Sequence, residues 1–252
     1  MGGPRRRAIL PALPVSAPDL IAALIITAFA ASVQSSAGVG FAIVSVPLLS
    51  LLDERLAPVP QILVVLPMVI SMAWRERHAI DLDGVGWILV GRLVGAGIGL
   101  ALIKMATETT LDVLVGLAVL AGVIILATGA KVRRTPVTQT AAGTVASVTS
   151  LVASMGGPPL ALLYHDAKGE TIRASLATVF IFGVTLTIAI RAASGEISRT
   201  DVEVALWLLP AMLVGLRMGR HLAARLEGAP LRRIILALSA AAAVGLLARA
   251  AF

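Results

Sequence analysis

The chain has no cysteine, which excludes disulfides, thiolate metal sites and cysteine nucleophiles. Charge is scarce as well: 14% of the 252 residues are charged and 58% are hydrophobic, with a mean hydropathy of +0.95. A water-soluble domain of this length needs far more polar surface, so that class is excluded. Segments alternating between apolar and polar residues, which build a transmembrane β-barrel, are missing too. Three histidines occur, His78, His165 and His221; all flank apolar bands, and none is spaced as a metal ligand. There is no phosphate-binding glycine loop, so direct ATP coupling is not expected. No acid falls in the middle of an apolar band, which disfavours a cation channel.

What remains is a series of bands of roughly 20 apolar residues separated by short charged patches, the pattern of helices that span a bilayer. The expected class is an all-α, polytopic, multi-pass protein of the cell membrane with 8–10 membrane helices. The net charge of +7 does not point to nucleic acid, because the basic residues sit at band boundaries, where they orient a membrane protein.

One run is too long for a single crossing. Leu20–Leu52 carries no charge over 33 residues, which as one straight helix is about 50 Å, against a hydrocarbon core of about 30 Å. The natural break is Gln34-Ser35-Ser36-Ala37-Gly38-Val39-Gly40, and a second uncharged run, Thr135–Tyr164, carries a comparable one at Ser154-Met155-Gly156-Gly157-Pro158-Pro159. The pattern restarts after Lys131, Arg133 and Arg134. A shift of 117 places Gly40 on Gly157 and Ala57 on Ala174; a shift of 120 places Trp87 on Trp207, Gly95 on Gly215 and Gly99 on Gly219. Two homologous halves follow: a tail (1–17), a first repeat (18–131), a linker (132–138) and a second repeat (139–252). The glycines four residues apart supply small faces for helix packing.

If each broken run crosses once, the halves are parallel and the basic residues divide almost evenly. If each enters and returns, or crosses twice as short helices, the halves are inverted. One side then collects Arg75, Arg77, Lys131, Arg133, Arg134, Lys168, Arg173, Arg217, Arg220, Arg225, Arg232 and Arg233. The other keeps Arg55, Lys104, Arg191, Arg199, Arg249 and Arg5–Arg7. The asymmetry favours inverted repeats with both termini outside, although the Arg5–Arg7 triplet argues the other way.

On this duplicated plan, with a small-residue break early in each half and a charged linker leading to Ile80-Asp81 or Ile197-Ser198 before a Trp- and Gly-containing helix, the sequence resembles the TauE/SafE family. The resemblance covers about Asp19 to Leu247. It implies transport of small sulfur-containing anions such as sulfite or sulfonates.

A broken membrane helix exposes backbone N–H groups and a positive dipole end where there is no water, which suits an oxyanion. Ser36, Gly38, Gly40, Gly156 and Gly157 would allow close approach to the backbone, and Gln34, Ser35, Ser36 and Ser154 could donate side-chain bonds. Arg92 lies mid-band, where a charge is expensive and marks a pathway or a buried partner. Gln61 and Thr178 align at the 117 shift as a symmetric polar pair. Thr149, Ser150, Thr185 and Thr187 are weaker candidates, and Asp166 beside His165 is a remote candidate for proton coupling.

The expected function is therefore secondary transport of a small anion by alternating access, with no enzymatic activity and no cofactor. The alternatives are an intramembrane serine hydrolase using Ser36 or Ser154 and a membrane scaffold. The expected partners are the anion and the lipid bilayer; monomer and homodimer both remain open.

Overall fold

The computed structural model describes residues 15–129, 131–164, 166–226 and 229–251. The expectations for Arg5–Arg7 and His165, and for the side chains of Arg225, Arg232 and Arg233, lie outside the described residues. Ten α-helices follow one another, and no strand occurs among the described residues. The first half supplies α1 (Ala17–Ala37), α2 (Phe41–Leu52), α3 (Val59–Arg75), α4 (Val85–Met105) and α5 (Glu108–Thr128). The second supplies α6 (Pro136–Ala153), α7 (Gly157–Ala161), α8 (Gly169–Ala193), α9 (Arg199–Leu226) and α10 (Ala229–Ala251).

Local chemistry sets the helix starts. The Ser16 hydroxyl accepts from the Asp19 amide, with Asp19 placed where the helix dipole favours an acid. Thr135 and Thr138 cap each other reciprocally at the start of α6, with Pro136 in its first turn. Helix α6 therefore begins within the stretch 132–138 that sequence alone reads as linker.

Six described helices are long and apolar enough to cross a membrane: α1, α3, α4, α5, α8 and the first part of α9. Large apolar side chains such as Ile21, Leu93, Ile124 and Leu206 stand more than half exposed on the outer surface. In water such a surface would be untenable; against lipid chains it costs nothing. The protein is a multi-pass helical membrane protein.

Packing crosses between the halves. Helix α1 lies along α9 and α4 along α6, while α5 pairs with α10 and α3 with α8. The small-residue faces make this possible. A Cβ added at Gly91 or Gly95 would land on the Thr140 or Thr144 carbonyl of α6, and one at Gly215 or Gly219 on the Ala28 or Ser32 carbonyl of α1. Backbones approach that closely only where side chains are absent. Exchanging α1 for α6, α2 for α7, α3 for α8, α4 for α9 and α5 for α10 leaves these pairings unchanged.

Contacts between linkers divide the bundle into two ends. At one, Arg134 just before α6 bonds Asp81 (2.5 Å) between α3 and α4, and its Nε donates to the Leu163 carbonyl beyond α7 (2.8 Å). The run from α6 through α7 thus enters from this end and returns to it. At the other end Arg249, near the close of α10, meets Glu54 just after α2 (3.3 Å), and Asp19 at the start of α1 lies within electrostatic reach of Arg55. The run from α1 through α2 enters and returns there.

Overpacking tests the glycine faces. Gly95→Leu or Gly215→Leu should destabilise the fold in detergent by about 1–3 kcal/mol or more, seen as a lower melting temperature. Gly97→Leu, where an added Cβ meets nothing within 4 Å, should leave it unchanged.

Candidate functional site

Each broken run has to close off its backbone inside the protein. At the first break, Gly38 adopts a left-handed conformation (φ 82°) that returns its N–H to the Gln34 carbonyl (2.8 Å), and Gly40 (φ 126°) redirects the chain into α2. Few residues other than glycine tolerate these angles. The Gln34 side chain then bridges the gap: Nε2 donates to the Gly38 carbonyl (2.8 Å) and Oε1 accepts from the Phe41 N–H (3.0 Å). At the second break, Ser154 takes the left-handed position (φ 54°), and its hydroxyl donates to the Pro58 carbonyl of the first half (2.8 Å).

Arginines cover the carbonyls at both helix ends. Arg75, closing α3, donates to the Ser35 hydroxyl (3.1 Å) and carbonyl (3.3 Å). Arg191, near the end of α8, donates to the Leu151 carbonyl near the end of α6. Both pairs are related by the same displacement along the chain, so each half carries one copy of the device. A cation at a helix C-terminus satisfies orphan carbonyls and the negative dipole end together. Arg173 adds a bond to the Ser36 carbonyl (3.3 Å) and an ion pair with Glu76 (3.0 Å), which also meets Arg75 (3.1 Å).

The two breaks meet. Between them lies a cavity of about 40 Å³, lined by Gln34 and Gly40–Ile43 from the first break and Ser154–Pro158 from the second. Val65, Met68, Ser150, Phe180 and Val184 complete the wall, and Arg92 of α4 enters from the side. Arg92 is only 1% exposed, and its Nε and Nη1 have no hydrogen-bond partner. Among the described residues no carboxylate pairs with it; the nearest compensation is the Phe180 ring, whose centroid is 6.0 Å from Cζ. Two glycines make room for the guanidinium: a Cβ at Gly156 would stand 3.3 Å from Nη2, and one at Gly183 would overlap Nη1. An unpaired buried guanidinium is costly, and an anion in the cavity would remove that cost.

The helix that opens at the cavity is α2. Gly40 offers it no capping side chain, so the positive end of α2 faces the space beside Arg92. Helix α7 contributes differently, because Pro158 and Pro159 in its first turn have no N–H.

Of the residues singled out from sequence, Gln34, Gly40, Arg92, Ser154, Gly156 and Gly157 line this cavity, and Ser35, Ser36, Gly38, Gln61 and Thr178 do not. Ser35 donates to the Leu216 carbonyl (2.9 Å) and Ser36 to the Val33 carbonyl (2.9 Å). Gly38 packs against Arg173. Gln61 is fully buried and donates to the Leu56 carbonyl (3.1 Å), and Thr178 bonds back to the Ala174 carbonyl (2.9 Å). Phe180 and Val184 went unnoticed in the sequence because nothing distinguishes them from other apolar residues of a membrane helix. Ser150, a weaker candidate there, lines the cavity and bonds Thr187 (3.1 Å).

A family model described as Sulfite exporter TauE/SafE matches residues 23–246. No match was found among curated proteins or among solved structures.

Two predictions follow from the groups around the breaks. Gln34→Leu strands the Gly38 carbonyl and Phe41 N–H, and should lower stability in detergent by about 2–4 kcal/mol, whereas Ser36→Ala, losing one local bond, should cost about 1 kcal/mol or less. Arg134 holds the Asp81 carboxyl below its ordinary range, chiefly through their hydrogen bond. A lowered folded-state value means the pair stabilises fully above the ordinary carboxylate pKa and is lost as pH falls through the lowered one. The melting-temperature gap between wild type and Asp81→Asn should therefore be complete at neutral pH and close on acidification.

Proposed function

The chain belongs to the TauE/SafE family of sulfite-exporter membrane transporters, and from that premise we propose that it carries a small anion through the cavity between its two broken helices. The substrate is sulfite or another sulfur oxyanion or organosulfonate, and the transport mode is alternating access. The observation that carries this reading is Arg92: a guanidinium buried at 1% exposure, without a carboxylate partner among the described residues, in the wall of the space where both breaks converge.

The proposed architecture is a pair of inverted repeats. The support is that the two broken runs enter from opposite ends of the bundle, as the contacts of Arg134 and Arg249 require. Arg75, Arg77, Lys131, Arg133, Arg134, Lys168 and Arg173 then share the Asp81 end, and Arg55, Lys104, Arg199 and Arg249 the other, which puts the Asp81 end in the cytoplasm under the positive-inside rule. At that end Glu76, held between Arg75 and Arg173, ties the first half to the second beside the break. In an alternating mechanism this bridge holds the cytoplasmic side shut.

The serine hydrolase reading lacks comparable support. Ser36 and Ser154 donate to backbone carbonyls, and His78 is exposed near Glu170 on the surface. A nucleophilic serine needs a base within hydrogen-bond reach.

Reconstitution into liposomes tests the proposal. Wild type should move sulfite, and Arg92→Ala should lose at least about tenfold of that flux while eluting as a folded protein in detergent. Equal flux in Arg92→Ala vesicles would remove the cavity from the transport path.

A further inference from the structure

The charges around the cavity constrain the ionic form of its ligand more tightly than its family does. Resting on the reading of the cavity as the transport site, we propose that the site accepts anions carrying a single charge and rejects dianions of the same size. For sulfite this means the hydrogensulfite form; sulfonates qualify as they are, and sulfate does not.

The cavity presents one formal charge. Among the described residues Arg92 is the only ionisable side chain in its wall. Helices α6 and α8 pack against α4, and α7 and the starts of α2 and the middle of α3 close the wall, and none of them turns another titratable group toward Arg92 among the described residues. Duplication did not double the charge: at the shift of 120 that places Gly95 on Gly215, Arg92 falls on Met212, which is buried at 1% exposure.

The neutral polar side chains of the wall each already bond a protein group. Gln34 bonds Gly38 and Phe41, Ser154 bonds Pro58, and Ser150 bonds Thr187. The rest of the wall is apolar, with Phe41, Met68, Met155 and Phe180 prominent. Nε and Nη1 of Arg92 have no hydrogen-bond partner, so the guanidinium is left with donor capacity that an oxyanion can use. With a monoanion the site becomes neutral; with a dianion a net negative charge stays in a low-dielectric wall that cannot solvate it. The partial charge at the start of α2 eases that deficit but does not cancel it.

Sulfate, methanesulfonate and perchlorate are tetrahedral and matched in heavy-atom count, but only sulfate carries two charges. Uptake of each should be measured in proteoliposomes at one pH and zero membrane potential. Wild type should move methanesulfonate and perchlorate at least about tenfold faster than sulfate. Met68→Lys, which adds a second cation to the wall, should shift the preference toward sulfate. If sulfate matches methanesulfonate in wild type, the charge rule is wrong while the cavity remains the transport site. If perchlorate behaves like sulfate, the apolar wall and not the charge sets selectivity, and the rule fails. If none of the three moves or raises the melting temperature while sulfite is transported independently of Arg92, the cavity assignment itself falls. The wild-type comparison decides the matter even if Met68→Lys does not fold.

Discussion

A helix that stops inside a bilayer leaves carbonyls with no partner, and neither water nor lipid can supply one. Much of the architecture answers that constraint. Helix α1 ends against Arg75 and Arg173, α6 ends against Arg191, and Gln34 spans the gap between α1 and α2 with its own amide. These arginines sit at the termini of α3 and α8, the same two helices that pack together at the centre and line the cavity. The breaks are therefore held by the same two helices that wall the cavity.

The two-fold plan is followed in the backbone and abandoned in the charges. The pairing of α1 with α9 has its counterpart in α6 with α4, and each half carries one arginine cap. Arg92 occurs once, and so does the bridge from Glu76 to Arg173; the acid beside the second cap, Glu196, pairs within its own half with Arg191. The charges thus distinguish the two ends of the molecule where the helix pairing does not.

Much of this was readable from the residues. The run from Leu20 to Leu52 had to break because its length exceeds the hydrocarbon core, and the internal offset located its mate. Arg92 stood out because a charge in the middle of an apolar band is expensive unless it snorkels to the interface or meets a partner. Other features could not be read. Arg75, Arg173 and Arg191 looked like boundary charges, and only their reach back to helix ends separates them from charges that merely orient the chain. The hydroxyls of Ser35, Ser36 and Thr178 looked available to a ligand, yet each bonds a carbonyl, a choice that depends on rotamer and neighbour and not on sequence. Phe180 carries no pattern at all; it faces the guanidinium because α8 happens to present that face to α4.

The pairing of α1 with α9 has a consequence for synthesis. The Ser35 hydroxyl bonds the Leu216 carbonyl across 181 residues of chain. At ordinary ribosomal speeds the first helix enters the membrane roughly ten to forty seconds before its partner has been made. Throughout that interval the Ser32 and Ser35 face of α1, which α9 later covers, confronts lipid or the insertion machinery. Helix α1 is thus delivered well before the helix that covers it, and assembly of the first half cannot finish before most of the second has been translated.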